Sequence, residues 1–232
     1  MVRKSKLQQG IGAYSVPEAS RLTGVSARRI RCWLAGYTYH NTGYVPRHVQ
    51  PLFEAQHPPI GGSLALSFLD LVEVRFVDAF LSRGITWPTL RKAAAKAQKM
   101  FRTNHPFATQ RLSTDGRAIF TEISQGAPSK GLMDIVKSQL VFRKLIEPFL
   151  QGLDFSPQAM AVRWYPLAAN RNVVIDPARS FGQPIVTEEG VPTAALYQAH
   201  LAGESDRKII QWFEVSEASL SAAIAFEEQL AA

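Results

Sequence analysis

Three arginines stand close together near the start of the chain, Arg28, Arg29 and Arg31, directly after Ser26. A guanidinium group forms paired hydrogen bonds with phosphate oxygens and with guanine O6 and N7 in the DNA major groove. A short helix that carries these groups on its exposed face is therefore suited to bind double-stranded DNA. The alternative interpretation is an ordinary helical hairpin whose basic face is solvated.

The local pattern around these arginines predicts two short helices and a tight turn. Ser15 and Glu18 have the spacing of a capping box at the start of the first helix. Gly24 can adopt the left-handed conformation that a sharp turn needs, and Ser26 is a good cap for the second helix. The apolar residues recur at helical spacing and predict the buried faces: Val16, Ala19, Leu22, Ile30, Trp33 and Leu34. This is the sequence form of a helix-turn-helix.

Aromatic residues surround Asn41–Gly43, a sequence typical of a hairpin turn. Two short strands with their tip at these residues would form a β-wing. We expect Tyr39, His40 and Tyr44 to lie against the sugar-phosphate backbone and Arg47 to contact a phosphate, although the tyrosines could instead pack the wing onto the second helix. The predicted DNA-binding residues are Ser26, Arg28, Arg29, Arg31, Tyr39, His40, Tyr44 and Arg47.

The charge of the chain is unevenly distributed. The 232 residues are 46% hydrophobic and 19% charged, which is typical of a folded protein, and the net charge of +7 favours a polyanionic partner. Residues 1–110 contain 15 Lys/Arg and 5 Asp/Glu, or +10, whereas residues 111–232 contain 11 and 14, or −3. A basic front half and an acidic back half suggest two separate binding functions.

Several classes of protein are not expected. A single cysteine, Cys32, permits no internal disulfide and fits a reducing, cytoplasmic location. No apolar run approaches the ~18 residues of a membrane span, so no membrane partner is expected. The histidines are scattered, and Asp176, Glu188 and Glu189 lie in one loop region instead of coming from several elements. We therefore expect no enzyme activity, no catalytic residue, no metal and no cofactor.

The remaining pattern is mainly helical. It predicts an amphipathic helix over 64–82, a helix from Trp87, a helix over 132–151, and a hairpin turn at Thr114–Arg117. The middle of the chain, about 105–168, has no motif tied to chemistry. A strand at Val173–Ile175 then precedes three helices, Ala194–Leu201, Asp206–Phe213 and Glu217–Leu230, whose arrangement is also helix-turn-helix-like but nearly without basic residues. We expect this last region to pack or bind protein in preference to DNA.

The first 100 residues resemble the winged helix of MerR-type regulators. The resemblance rests on Tyr14–Trp33, Gly43-Tyr44, the helix Leu66–Leu81 with Asp70, and Arg83–Thr86. It implies a dimer on a palindromic operator, with recognition helices about 34 Å apart or a multiple of that. The chain departs from that family because it lacks the long coiled-coil helix and the effector domain, and its back half has no Cys/His cluster for a metal.

The last 60 residues resemble a small domain of unknown function found in many bacterial antitoxins. The resemblance rests on Ile175–Pro177, Gly182–Val186, Leu201–Ser205, Ile209–Phe213 and Glu217–Phe226. Glu188-Glu189-Gly190 replaces the usual Gly-Thr-Arg of the loop, which removes or relocates any role of that arginine. The order of a winged helix followed by this domain is similar to antitoxins of the VapB type, whose partner toxins are PIN-like nucleases.

Together these features predict a mainly α fold with small β elements. The predicted parts are a MerR-like winged helix-turn-helix DNA-binding domain (1–104), a connecting α/β segment (105–168) and a three-helix, helix-turn-helix-like antitoxin-associated domain for dimerisation or toxin binding (169–232). The expected function is that of an antitoxin that neutralises a PIN-like nuclease and represses its own operon as a homodimer or a larger toxin-antitoxin assembly. The alternatives are a stand-alone MerR-like transcription regulator and an adaptor whose helix-turn-helix units bind proteins.

Overall fold

The computed structural model describes residues 11–39, 46–126, 133, 136, 139–167 and 170–231. Helices predominate in this part of the chain and the strands are short, which confirms the predicted mainly α class with small β elements. The chain divides into two compact units. The first contains Tyr14–Gln151 and Phe155–Ala161, and the second contains residues 11–13, Gly152–Asp154 and residues 162–231.

The first unit is built mostly from helices. The helices described in it are α1 (Val16–Thr23), α2 (Ala27–Ala35), α3 (Phe68–Ser82), α4 (Trp87–Phe101), α5 (Arg111–Gly126) and α6 (Gln139–Leu150). Its strands form two antiparallel pairs, β1 (Tyr14–Ser15) with β4 (Ala65–Leu66) and β2 (Tyr37–Tyr39) with β3 (Arg47–Val49). Because β1 leads directly into α1 and β4 lies just before α3, the first pair holds the starts of these two helices together.

Helix α3 lies at the centre of the first unit and packs against α1, α4 and α6. Its largest apolar side chains are almost completely buried: Phe68, Leu71, Val72, Phe76, Val77 and Phe80. The amphipathic helix predicted over 64–82 therefore begins only at Phe68, where Ser67 caps it, and it has no broad polar face. A helix that is apolar on most sides belongs in a core, not at a surface.

Two carboxylates of α3, Asp70 and Glu73, are fully buried. One oxygen of Asp70, Oδ2, accepts the N–H of Gln56 at 3.1 Å. One oxygen of Glu73, Oε1, accepts the N–H groups of Phe107 and Ala108 at 2.7 and 3.2 Å. Burial raises the pKa of Glu73 well above its usual range, because desolvation outweighs these two hydrogen bonds. The two side chains thus attach distant segments to the central helix.

The prediction of a hairpin turn at Thr114–Arg117 is wrong, because these residues lie inside α5. The buried positions of this helix follow helical spacing: Leu112, Gly116, Ile119 and Phe120. Gly116 belongs to that face because a Cβ there would lie only 2.8 Å from Cζ of Phe142 in α6. The glycine makes room for a neighbouring helix and does not form a turn.

The second unit combines a sheet with a helical layer. The strands, in spatial order, are β5 (Leu153–Phe155), β6 (Ala161–Trp164), β7 (Val173–Ile175) and β8 (Pro184–Val186). A short 3-10 turn, Ser180–Gly182, lies between β7 and β8, and the helices that follow are α7 (Thr193–Leu201), α8 (Asp206–Phe213) and α9 (Glu217–Ala231). The core they share contains Val186, Leu196, Ile209, Val215, Leu220 and Ala223. The predicted strand and all three predicted helices are therefore present.

Glu189 fastens the loop after β8 to the start of α9. Its Oε1 accepts the N–H of Ser216 and its Oε2 accepts the hydroxyl of Ser219, both at 2.8 Å. Burial opposes the charged form, but these hydrogen bonds outweigh it and lower the pKa of Glu189. This glutamate of Glu188-Glu189-Gly190 therefore has a structural role in capping the last helix.

Replacement of Gly116 by alanine is expected to destabilise the protein, although alanine is intrinsically the better helix former by ~1 kcal/mol. The new methyl group would meet Leu112 and Phe142, which are buried and cannot swing into solvent. Overpacking of this kind costs ~1–3 kcal/mol, so we expect a net decrease in the free energy of unfolding in urea.

The matched control for this variant is Thr114→Ala, at an exposed position of the same helix. It should leave the free energy of unfolding within about 0.5 kcal/mol of the wild-type value. A Gly116→Ala protein more stable than wild type would contradict the packing of α5 against α6.

Candidate nucleic-acid interface

Helices α1 and α2 have the local structure that the sequence predicts. The Ser15 hydroxyl accepts the N–H of Glu18 at 3.3 Å, and Glu18 Oε2 accepts the N–H of Ser15 at 2.7 Å. Gly24 then ends α1 at a φ of 71°, and the Ser26 hydroxyl caps α2 by accepting the N–H of Arg29 at 3.4 Å. The predicted inward residues are all buried: Val16, Ala19, Leu22, Ile30, Trp33 and Leu34. The opposite face of α2 is consequently exposed.

The three arginines of α2 have different surroundings. Arg28 and Arg31 are exposed, and neither makes an ion pair with any residue that the structure describes. Three positions apart on a helix, they lie on neighbouring parts of its surface. Arg29 instead lies 2.7 Å from Oδ1 of Asp78 in α3, with its guanidinium 4.8 Å from the ring centroid of Trp33. Arg28 and Arg31 are therefore more available to an external partner than Arg29.

A stack of aromatic rings and guanidinium groups joins α2 to α4. The rings of Trp33 and Trp87 are stacked at an interplanar angle of 26°, with their centroids 6.3 Å apart. The guanidinium of Arg91 lies 5.7 Å from the Trp87 centroid and also donates to the carbonyl of Gln50, just after β3. No local sequence pattern identifies this role of Arg91, because only the folded chain brings the two tryptophans together.

The strands β2 and β3 form a ribbon whose side chains are mostly exposed. In its register Tyr39 pairs with Arg47 and Tyr37 with Val49, so these side chains share one face. The two tyrosine rings lie 6.3 Å apart and are not buried in a core. The predicted tip, Asn41–Gly43, and the predicted site residues His40 and Tyr44 lie outside the described residues.

The ribbon is attached closely to the end of α2. The N–H of Leu52 donates to the carbonyl of Trp33 at 2.7 Å. Gly36 has a φ of 71°, and a Cβ at this position would lie 2.4 Å from the carbonyl oxygen of Val49. A two-stranded ribbon is only marginally stable by itself. These contacts hold it beside the helix that carries Arg28 and Arg31.

The surface around α2 and the ribbon is strongly basic. Within residues 14–39 and 46–50, Glu18 is the one carboxylate and is already used in the cap of α1. The same residues contain Arg21, Arg28, Arg29, Arg31 and Arg47, of which Arg29 is paired with Asp78 of α3. An excess of guanidinium groups on an exposed helix and ribbon attracts phosphate groups.

The described residues do not suggest another kind of site. Among them, no three His, Cys, Asp or Glu side chains are grouped so that they could hold a metal ion. Asp70 and His105 do approach each other, with Oδ1 and Nδ1 3.7 Å apart, but both are buried in the core of the first unit. Within the part of the chain that the structure describes, no helix has the length and apolarity that crossing a bilayer requires.

Comparison with known proteins finds a family match near the end of the chain and a curated relative along most of its length. Residues 173–226 match a family described as "Protein of unknown function (DUF433)", in the region where the sequence predicts such a domain. The curated protein "Putative antitoxin VapB45" of Mycobacterium tuberculosis (strain ATCC 25618 / H37Rv) is 28% identical over 221 residues. This similarity covers 91% of the present chain and 92% of that protein, so it includes both units.

The fold also resembles that of a solved protein. The crystal structure of Rv2018 from Mycobacterium tuberculosis aligns with a TM-score of 0.73 at 24% sequence identity, covering 94% of the present chain and all of the other. Together the comparisons support an antitoxin-like protein. The name of the curated relative further supports a regulatory protein without enzyme activity, as the sequence predicts.

Arg29→Met and Arg28→Met should differ in their effect on stability. Arg29→Met removes the ion pair with Asp78 and the contact with the Trp33 ring, so the free energy of unfolding should fall by about 1 kcal/mol. Arg28→Met should change it by less than about 0.5 kcal/mol, because Arg28 is exposed and makes no ion pair with a described residue. Urea denaturation at low and high salt measures both. Equal losses would contradict the distinction between the two arginines.

Proposed function

We propose that this protein is a cytoplasmic, DNA-binding antitoxin of a toxin-antitoxin system. In this proposal it represses its own operon and neutralises a PIN-like nuclease toxin by direct binding. The observation that carries the proposal is the similarity to an antitoxin-named protein along 91% of the chain. Because the similarity includes both units, it favours a function shared by the two whole proteins over the sharing of a single domain.

The first unit is the proposed DNA-binding part, and residues 1–104 are its proposed MerR-like winged helix-turn-helix. Arg28 and Arg31 on α2 are the proposed contacts to base edges and phosphates in the major groove, with Ser26 and Arg29 at the side of the same surface. Tyr39 and Arg47, adjacent on the ribbon, are suited to the sugar-phosphate backbone. A homodimer would present two copies of α2 to half-sites about 34 Å apart or a multiple of that.

The second unit is the proposed toxin-binding part. Residues 170–231 contain 4 Lys/Arg and 9 Asp/Glu, a net charge of 4 − 9 = −5. A nuclease must present a basic surface to its nucleic acid, and an acidic partner complements that surface. The alternative function, a stand-alone MerR-like regulator without a toxin, uses the same arginines but leaves the acidic unit without a partner.

Removal of both outward arginines, Arg28→Ala with Arg31→Ala, should weaken operator binding at least about 25-fold. Each guanidinium that contacts a base or phosphate contributes about 1–3 kcal/mol. The slope of log affinity against log salt should also become shallower by up to about 2 for each bound protomer. A mobility-shift titration on the protein's own promoter at several salt concentrations measures both quantities.

Lys92→Ala is the control for this titration, because Lys92 is an exposed cation of the same unit outside α2 and the ribbon. It should change operator affinity by less than about threefold. If the double arginine variant binds the promoter like wild type, with the same salt dependence, α2 is not the DNA-binding element.

Co-expression with the product of the neighbouring open reading frame tests the antitoxin role. We expect the full-length chain to co-purify with that product and to restore growth that the product alone arrests. The Arg28→Ala, Arg31→Ala variant should neutralise equally well but no longer repress the promoter, because the two functions lie in different units. If the wild-type protein binds the promoter but neither co-purifies with the neighbouring product nor restores growth, the result would favour the stand-alone regulator.

A further inference from the structure

Phe181 is the most exposed large hydrophobic residue in the part of the chain that the structure describes. Its side chain is 79% exposed, and it stands in the 3-10 turn between β7 and β8. The ring makes no ring contact with another described residue. A single exposed apolar side chain is common on protein surfaces. The unusual feature at this position is the conformation of the backbone that carries the ring.

The turn is strained at two successive residues with side chains. Ser180 has a φ of 46° and Phe181 a φ of 55°, the left-handed region that residues with a Cβ rarely adopt. Phenylalanine has no polar side-chain atom that could stabilise this conformation locally. Such strain persists only where the surroundings enforce it, and it is concentrated at binding and catalytic sites.

Hydrogen bonds hold the turn rigidly without using the phenyl ring. The N–H of Gly182 donates to the carbonyl of Arg179 at 2.9 Å, and the N–H of Gln183 donates to the carbonyl of Ser180 at 3.0 Å. The side chain of Arg179 is held in turn by the carbonyl of Thr187, also at 2.9 Å. The backbone of the strained residues is therefore fixed from both sides.

The start of the turn is anchored by the buried carboxylate of Asp176. Its Oδ1 accepts the N–H of Ala178 at 2.9 Å, and its Oδ2 lies 2.9 Å from Nε of Arg163 in the neighbouring strand. This interaction raises the pKa of Arg163, so its guanidinium stays charged beside Asp176. The fold thus holds in place a phenyl ring that is 79% exposed.

The charges of this unit indicate which partner the ring meets. The basic side chains Arg163, Arg171 and Lys208 are each paired with a carboxylate of the same unit. One exposed cation, Arg207, makes no ion pair with a described residue, whereas four exposed carboxylates make none: Glu188, Glu214, Glu217 and Glu228. The uncompensated charge is negative, which repels nucleic acid and a second copy of the same acidic unit and attracts a basic protein.

We propose that Phe181 is the anchor through which the second unit binds its toxin, inserting into an apolar pocket within a basic surface of the nuclease. Aromatic side chains that fill a partner's pocket supply much of the affinity of protein complexes, and a rigid anchor loses little entropy on binding. This inference rests on the proposed antitoxin function, and it names the residue on which toxin binding depends.

Phe181→Asn tests the proposal, because asparagine tolerates the left-handed conformation and relieves the strain. The variant alone should melt at the same temperature as wild type or higher, yet bind the purified product of the neighbouring open reading frame at least 10-fold more weakly by calorimetric titration. Phe181→Gly should behave in the same way. A lower melting temperature for both variants would mean that the ring supports the fold, and it would overturn the proposal.

Trp212→Gln is the matched control, since Trp212 is another exposed aromatic residue of the same unit, 58% accessible. It should change toxin affinity less than threefold. Wild-type affinity in Phe181→Asn, or a loss only in Trp212→Gln, overturns the anchor. The proposal is also overturned if Phe181→Asn retains its toxin affinity but changes from dimer to monomer by light scattering. The partner of the ring would then be a second copy of the chain.

The failure of this inference differs from the failure of the proposed function. If wild-type protein does not bind the neighbouring product, the antitoxin function itself fails, and the anchor fails with it. If wild type binds and Phe181→Asn binds equally, only the anchor is wrong. Operator affinity of Phe181→Asn should remain that of wild type, and a loss there would assign the ring to DNA binding and overturn the proposal.

Discussion

The first unit depends on the backbone donors that two buried carboxyl groups of one helix require. Helix α3 has almost no solvent face, so Asp70 and Glu73 cannot be hydrated and must find donors within the protein. The N–H of Gln56 donates to one oxygen of Asp70, and the N–H groups of Phe107 and Ala108 donate to one oxygen of Glu73. The other oxygen of each side chain is buried without a hydrogen bond to a described residue. Loss of these donors would leave a buried carboxylate unpaired, and the segments that carry them are consequently fixed to the central helix.

The same helix determines which arginines of α2 remain available. Asp78, one further turn along α3, pairs with Arg29, and the stacked rings of Trp33 and Trp87 hold the opposite face of α2 against α4. Arg28 and Arg31 then point away from these contacts. Three nearly adjacent arginines thus divide into one that positions the helix and two that are open to a partner.

Sequence reasoning succeeds where the determining interactions are local. The capping box of Ser15 and Glu18, the left-handed Gly24 and the cap Ser26 act within four residues, so α1 and α2 could be predicted closely. Asp115-Gly116 is a turn signal of equal local strength, yet the segment is helical because its apolar residues pack against α6. Glu73 bonds to Phe107, 34 residues away, and Arg91 bonds to Gln50, 41 residues away, so no local pattern predicts either contact.

The proposed complex needs an apolar anchor as well as an acidic surface. Electrostatic attraction accelerates association and excludes partners of like charge, but paired surface charges add little affinity once solvent and salt screen them. An acidic unit alone would bind many basic proteins weakly, which is insufficient to silence one nuclease selectively. A ring held ready by the Asp176–Arg163 pair and the strained turn supplies a contact that only a matching pocket can accept. The strain stored at Ser180 and Phe181 is then explained by selective binding and not by folding.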